Sequence, residues 1–151
     1  MKRKSIPELG PFRYIRNSDI SQPFQNRLTS TNNLVLSDFL HYNKENRHVF
    51  VYDYEGKILC VVVFDDEGDH FYLNLIENNE KHESECDEIN PAPKLILFVE
   101  KVAKSLGYEK IRLDAVQTLV PYYEKLGYST MNVKVDGGSY GILEKMKKEL
   151  P

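Results

Sequence analysis

Two adjacent tyrosines, Tyr122 and Tyr123, stand in a segment whose spacing predicts a short helix over residues 119–126. Pro121 suits the first turn of a helix, where a missing N–H costs nothing, and Gly127 suits the position after the last turn. Together with two flanking leucines the tyrosines recur at helical spacing, so one face of the segment is apolar and aromatic. A phenol on that face either packs in the core or offers an O–H to a reacting group.

Carboxylates crowd a second segment, residues 77–93, which contains no glycine and no apolar periodicity. The acids are Glu77, Glu80, Glu83, Glu85, Asp87 and Glu88. We predict a long loop here, and long loops in compact domains are often functional. A solvated charged loop is the commonest fate of such a run; recruitment of a cationic amine is the functional alternative.

Length and charge exclude several classes of protein. The 151 residues suit one domain, 1–151, with residues 1–10 as a flexible N-terminal tail. A net charge of −3 is too small to attract nucleic acid or an anionic membrane. Because the chain has neither a membrane-length apolar run nor a signal-peptide pattern, we expect a cytoplasmic protein.

The two cysteines and four histidines show no spacing typical of a disulfide framework or a metal site. Cys60 lies in an apolar strand and Cys86 in the acidic segment, so reduced thiols are the default and a disulfide is the alternative. Of the four histidines, His82 alone has a cysteine, Cys86, as a neighbour. Two more ligands would be needed for zinc, so we predict no metal site.

Periodicity predicts an alternation of strands and helices. Strands are expected at 12–16, 48–54, 57–64, 70–76, 110–115, 129–135 and 140–146. A first helical region, capped by Ser21 or by residues 31–33, turns Leu36, Phe39 and Leu40 inward. A long helix over 95–106 should bury Leu95, Val99, Val102 and Leu106 and expose Lys101, Lys104 and Ser105. A long helix between neighbouring strands implies a parallel crossover in a mixed sheet.

This order of elements, and the run Tyr122 to Tyr128, resemble the GNAT superfamily of acetyl-CoA-dependent N-acetyltransferases. The run matches that family's (F/Y)-Y-x-x-x-G-(F/Y) signature. The resemblance implies an α/β (α+β) GNAT fold, with a central twisted mixed sheet of six to seven strands and about four helices. It also implies that Tyr123 donates a proton to the departing CoA thiolate.

The resemblance further implies where acetyl-CoA, the co-substrate, would bind. Relatives hold its pyrophosphate with backbone N–H groups before the long helix, in a Q/R-x-x-G-x-G/A motif. Here that window falls on residues 87–92, where Asn90 replaces the first glycine, Ala92 fits the last position and Pro91 lacks an N–H. The motif is therefore degenerate, and weak CoA binding or its loss are both open. The implied contacts are Leu75, Ile76, Asn90, Ala92, Lys94, Leu95 and Gln117.

The general base is the least determined role. Relatives often use a glutamate on the strand before the pyrophosphate loop, and here Tyr72 stands near that position. Glu77, at the end of the strand, is our choice; His70 and Asp114 are the other candidates.

The predicted function is direct acetyl transfer from acetyl-CoA to a primary amine, on a small molecule or a protein. The alternative is a catalytically degenerate GNAT-fold module that binds a ligand or protein. Neither nucleic acid nor a membrane is expected as a partner, and a homodimer is compatible with the sequence.

Overall fold

The computed structural model describes residues 5–26 and 35–151. One sheet contains β1 (Phe12–Tyr14), β2 (Arg47–Tyr54), β3 (Lys57–Asp66), β4 (Phe71–Asn78), β5 (Lys110–Val116), β6 (Ser129–Asp136) and β7 (Ile142–Glu149). The helices of the described residues are α1 (Leu36–Tyr42), α2 (Glu83–Ile89), α3 (Pro91–Ser105) and α4 (Val120–Lys125). Short 3₁₀ turns occupy Asn17–Ser21, Glu80–His82, Gln117–Leu119 and Gly138–Tyr140. The predicted α/β fold, its mixed sheet and its four helices are confirmed.

The strand order is β1-β2-β3-β4-β5-β7-β6. Each neighbouring pair is antiparallel except β4 and β5, which run parallel because α3 carries the chain back between them. A tight hairpin joins β2 to β3 through Glu55 and Gly56, both with positive φ (51° and 88°), as a type I′ turn requires.

Two apolar layers cover the two faces of the sheet. Helix α3 packs on one face, where Leu95 and Val99 are fully buried. The shorter α1 packs on the other face, where Leu36 and Phe39 are buried and Leu40 is partly buried. The predicted inward positions of both helices are therefore confirmed at these residues. The main stabilisation of each layer comes from apolar surface removed from water, which contributes about 25 cal/mol per Å².

A β-bulge in β4 divides that strand into two halves. Phe64 of β3 pairs with Leu73 whereas Val63 pairs with Leu75, so Asn74 is an extra residue. Because side chains alternate across a strand, the insertion reverses the alternation: Leu73 joins the α3 layer and Leu75 the α1 layer.

The predicted loop over residues 77–93 is wrong for most of its length. Residues 80–82 form a 3₁₀ turn, α2 follows, and α3 already begins at Pro91. Helix α2 shows no apolar periodicity because it is solvent-exposed, with Cys86 as its buried residue. Glutamates favour its first turn through the helix dipole, and Asn90 ends it with a left-handed backbone (φ 55°, ψ 64°).

Helix α3 also differs from its predicted range of 95–106. Pro91 is pre-organised for the first helical position, so the helix starts four residues earlier. It ends at Ser105, and Leu106 is consequently 37% exposed instead of buried. Val102 is half-buried, and Lys101, Lys104 and Ser105 are exposed as predicted.

The first described residues of the chain pack against the sheet. The predicted tail 1–10 lies outside the described residues up to position 4, but Ile6 is 5% exposed and its N–H donates to the Tyr14 hydroxyl at 3.0 Å. That part of the segment is held against the sheet. Ser21 ends a 3₁₀ turn instead of capping a helix, because the turn closes at this residue; the alternative caps at 31–33 lie outside the described residues.

The last strand runs three residues further than predicted, over Ile142–Glu149 instead of 140–146. Its lysines and glutamates obscure the apolar–polar alternation that predicts a strand. Pairing with both β5 and β6 stabilises the strand although its residues have a low β-propensity. Strand β1 is shorter than predicted and ends at Tyr14.

Candidate active site

The central strands β4 and β5 separate where the bulge lies. They pair only from Phe71 with Ile111 to Leu73 with Leu113, although β4 continues to Asn78 and β5 to Val116. Along the diverging halves, the peptide groups that β4 and β5 direct toward each other therefore face a gap instead of a partner strand.

The gap opens into a cleft of about 380 Å³. That volume lies within the range of small-molecule sites. Its lining combines strand β4, the start of α3 and the region from the end of β5 to α4: Ile76, Glu77, Asn78, Glu80, Asn90, Ala92, Val116, Thr118, Leu119, Tyr122 and Tyr123. One cleft thus joins the tyrosine helix, the acidic end of β4 and the N-terminus of the crossover helix.

Tyr123 lies in the wall of this cleft and is 7% exposed. Its ring makes edge-to-face contacts with Tyr122, at 5.2 Å between centroids, and with Tyr128, at 6.0 Å. Burial, followed by the nearby Tyr122 and the Glu77 carboxylate, raises the pKa of Tyr123 well above its ordinary value of 10. The phenol therefore keeps its proton throughout the physiological range.

A buried polar network holds the far end of α4. The Tyr128 hydroxyl donates to Glu100 of α3 at 2.9 Å, and the Lys148 ammonium donates to the same carboxylate at 2.8 Å. Lys148 also donates to the carbonyl of Leu126 at 2.9 Å, which satisfies one of the unpaired carbonyls that end a helix. Helices α3 and α4 and strand β7 are therefore locked together behind Tyr123.

Of the three candidate bases, Glu77 is the one in the cleft wall. It is half-buried, and its charge acts on Tyr123. His70 precedes the opposite end of β4 and its Nδ1 contacts the Asp69 carboxylate at 2.6 Å. Asp114 accepts hydrogen bonds from the Tyr72 hydroxyl and, at 3.4 Å, from the Lys145 ammonium. That carboxylate is already engaged and does not line the cleft.

The first turn of α3 contributes Asn90 and Ala92 to the cleft, but few free donors. The N–H of Asn90 donates to the carbonyl of Cys86 at 2.8 Å, which closes α2. Pro91 and Pro93 have no N–H, and the helix itself uses the N–H of Lys94. Of the four N–H groups that normally stay free at a helix start, that of Ala92 remains.

The fit to a CoA thioester therefore differs along its length. Unpaired peptide groups of β4 suit the amides of a pantetheine arm, and the Asn78 side-chain oxygen is buried without a hydrogen-bond partner among the described residues. The α3 turn offers a pyrophosphate much less than a standard helix N-terminus does. The residues present fit the thioester and its arm, and fit the pyrophosphate poorly.

The other predicted contacts fall outside the cleft lining. Leu75 packs in the α1 layer, and Leu95 is fully buried between α3 and the sheet. Lys94 and Gln117 are exposed. Their side chains are thus not brought together with Tyr123 and Glu77.

Six lining residues were not among the predicted site residues: Asn78, Glu80, Val116, Thr118, Leu119 and Tyr122. Alternation from Ile76 would have indicated Asn78. The others follow from where β4 and β5 end, which a single sequence marks poorly.

Both cysteines are free and buried. The Cys86 thiol donates to the carbonyl of Leu59 at 3.3 Å, so it fastens α2 to the sheet and does not lie in a polar loop as predicted. His82 lies 3.5 Å from the Glu85 carboxylate. Within the described ranges, no group of three or more potential metal ligands occurs.

A mixed sheet whose parallel central pair splays open, with an aromatic helix in the wall of the resulting cleft, defines the architectural class of this α/β chain. A family model described as "Acetyltransferase (GNAT) domain" matches residues 22–150. The chain therefore belongs to the GNAT acetyltransferase family, as its sequence resemblance suggested.

Solved structures of acetyltransferases share the fold. The ribosomal-protein-S18-alanine N-acetyltransferase of Escherichia coli superposes with a TM-score of 0.71 at 12% identity, covering 92% of both chains. Ard1 of Thermoplasma volcanium gives 0.69 at 13% identity, covering 93% of this chain and 97% of that one. An aminoglycoside 6′-N-acetyltransferase complexed with coenzyme A gives 0.61 at 13% identity, covering 77% and 79%. A search of curated protein sequences finds no match.

In the part of the chain that the structure describes, no helix has the length and apolar character needed to span a membrane.

Proposed function

We propose that this chain transfers an acetyl group from acetyl-CoA to a primary amine while both substrates are bound. The observation that carries the proposal is the cleft between the splayed strands β4 and β5, with Tyr123 and Glu77 in its wall. Membership of the GNAT family and the likeness to a coenzyme A complex support the donor.

The reaction forms a carbon–nitrogen bond and breaks the carbon–sulfur bond of the thioester. The attacking amine must be neutral and must lose a proton. Glu77, which lines the cleft, would accept that proton, directly or through a water molecule. Peptide N–H groups of β4 that face the gap can stabilise the charge that develops on the carbonyl oxygen.

Tyr123 would stabilise the negative charge that develops on the leaving sulfur. Its pKa is raised by burial, so the hydroxyl is protonated at every working pH. Because a thiol has a pKa of about 8.5, this phenol is a weaker acid than the group it serves. We therefore assign Tyr123 to donate a hydrogen bond to the leaving sulfur as the carbon–sulfur bond breaks; the CoA thiolate takes its proton from solvent after release.

Donor binding would use backbone more than side chains. The peptide groups of Ile76 would face the pantetheine arm, Leu75 would act through its place in β4, and the N–H of Ala92 is available to a phosphate oxygen. The exposed Lys94 can add a charge contact. Leu95 would act through its position in the helix, and Gln117 through its place after β5.

The acceptor would be a cationic small molecule or a protein amine. Glu77 and Glu80 both line the cleft, and carboxylates there attract a protonated amine before it is deprotonated. A cytoplasmic location agrees with the two free thiols and with a supply of acetyl-CoA.

One observation favours the second candidate, a binding module without catalysis. The first turn of α3 has lost most of its donors, and a chain that no longer binds CoA would not need them. The buried Tyr123 and the open cleft are shared by both candidates, so binding and turnover must be measured separately.

The deciding experiment is calorimetric titration with acetyl-CoA, followed by incubation with a panel of amines and mass spectrometry of the products. An acetylated amine and release of free CoA at equal rates would establish the transferase. Binding without any product would favour the module. Absence of both binding and turnover would refute the proposed donor.

A further inference from the structure

We propose that this chain recognises its donor through the pantetheine arm, and that the nucleotide end contributes little to binding. The donor class is then an acyl-pantetheine thioester, of which acetyl-CoA is one member. This inference rests on the proposed acetyl transfer and adds to it which part of the donor is read.

The first argument is the count of donors at the start of α3. A helix start binds phosphate because up to four N–H groups point out of it. Here two are absent as prolines, and a third, that of Asn90, is bonded to the carbonyl of Cys86 at 2.8 Å. The remaining N–H, that of Ala92, can make one contact where a standard turn makes several.

The second argument is the helix that precedes this turn. Asn90 is at once the residue after α2 and the residue before α3, so the helices meet end to end. The negative end of the α2 dipole therefore lies beside the positive end of the α3 dipole and opposes it. A phosphate group placed here meets a weaker positive field than at an isolated helix start.

Fixed charge acts in the same direction. Asp87 and Glu88, in the last turn of α2, are exposed carboxylates next to Asn90. Of the nearby cations, Lys57 is paired with Glu85 at 3.3 Å, and Lys94 is exposed on α3. One lysine against two carboxylates does not make a basic phosphate site.

The cleft, by contrast, offers the pantetheine arm both polar and apolar contacts. Beyond Leu73 the edge of β4 that faces β5 has no partner strand, so the peptide groups of Ile76 point into the cleft, and the Asn78 side-chain oxygen is a buried acceptor with no partner in the described chain. Ile76 and Val116 give the cleft its apolar walls. Amides alternating with short aliphatic stretches are the chemistry of pantetheine.

The test compares acetyl-CoA with acetyl-pantetheine as donors for the unmodified protein and one amine acceptor. We expect kcat/KM to differ by less than about tenfold, equivalent to about 1.4 kcal/mol, because a single phosphate contact is lost. A preference for acetyl-CoA beyond that factor overturns the inference while leaving acetyl transfer intact. If neither donor is used, the proposed function fails and the inference fails with it.

A gain-of-function variant gives an independent arm. Pro93→Ala restores an N–H in the first turn of α3 and should raise kcat/KM for acetyl-CoA by about tenfold, the value of one added contact. The value for acetyl-pantetheine should not change. Equal gains for both donors, or no gain for acetyl-CoA, would show that the missing donor does not set the specificity.

The charge argument has a matched pair of variants. Glu88→Gln, beside the turn, should improve acetyl-CoA use at low salt more than Glu83→Gln, which removes the same charge at the far end of α2. Equal effects would contradict a local role for the carboxylates at the α2–α3 junction.

Discussion

Replacing Tyr123 with phenylalanine removes one hydroxyl from the cleft and leaves the ring. Both edge-to-face contacts, with Tyr122 and Tyr128, depend on the ring and persist in the variant. The side chain is 7% exposed, so the substitution opens no cavity larger than an oxygen atom. We expect the free energy of unfolding to change by less than about 1 kcal/mol, the value of one ordinary hydrogen bond.

The expected catalytic loss follows from the charge that the hydroxyl serves. A hydrogen bond to a charged group is worth about 1.5–3 kcal/mol, which corresponds to roughly 10- to 150-fold in rate. Losing a general acid typically costs 10²–10⁴-fold. Because the pKa of Tyr123 is raised above that of a thiol, the hydrogen-bond range applies to most of the effect. We predict a fall in kcat of roughly 10²-fold with binding of acetyl-CoA little changed.

The assay is steady-state release of free thiol, with calorimetry for donor binding and thermal unfolding for stability. Tyr122→Phe is the matched control: it also loses one phenol from the cleft lining, but its residue faces a direction about 100° away around the helix. Its kcat should fall by less than about threefold, since its role is packing. Equal losses in the two variants would mean that stability and not chemistry is affected. Full activity in Tyr123→Phe would remove this residue from the mechanism.

Three further predictions concern the base, the core and the alkaline limit. Glu77→Gln should lower kcat by about 10²-fold at neutral pH and recover part of the loss at high pH, where the free amine is neutral; an unchanged pH–rate profile would exclude Glu77 as the base. Val99→Asp places a charge at a fully buried position and should leave no cooperative unfolding transition by circular dichroism, whereas Val99→Ile should retain one. Burial raises the pKa of both Tyr123 and Tyr128, so above pH 10 the unfolded chain ionises while the folded chain does not. Each of these two residues should then lower the free energy of unfolding by about 1.4 kcal/mol per pH unit, and Tyr128→Phe should reduce the slope measured in urea titrations by about that amount.

The sequence predicts those parts of the fold that local rules determine. Leu95 and Val99 mark α3 by their spacing, and Pro121 with Gly127 marks the limits of the tyrosine helix within one residue. The parallel crossover follows from the order of elements. These features depend on periodicity and caps, which a single chain carries in full.

Other features depend on contacts between distant segments. Helix α2 is made of exposed acids and is held by the burial of Cys86, so its sequence looks like a loop. The extra residue Asn74 becomes a bulge only through its pairing with β3. The neighbouring sequence does not predict a bulge at this position. The cleft depends on that bulge. Sequence reasoning could therefore predict Tyr123 and Glu77 in the site, but not Asn78 or Glu80.

The two ends of the candidate donor site are built by independent means. The bulge at Asn74 separates β4 from β5 and needs only the register of the sheet, whereas a phosphate site needs free N–H groups at the start of α3. Prolines at 91 and 93 leave the register of the sheet untouched, so this chain can lose much of its phosphate binding while retaining the thioester cleft. Tyr123 packs on Tyr128, whose hydroxyl donates to Glu100, and none of these contacts involves the first turn of α3. The proposed acyl transfer and the proposed nucleotide recognition would therefore depend on separate parts of the structure, which is why donor truncation distinguishes an altered transferase from a chain that has lost its catalytic role.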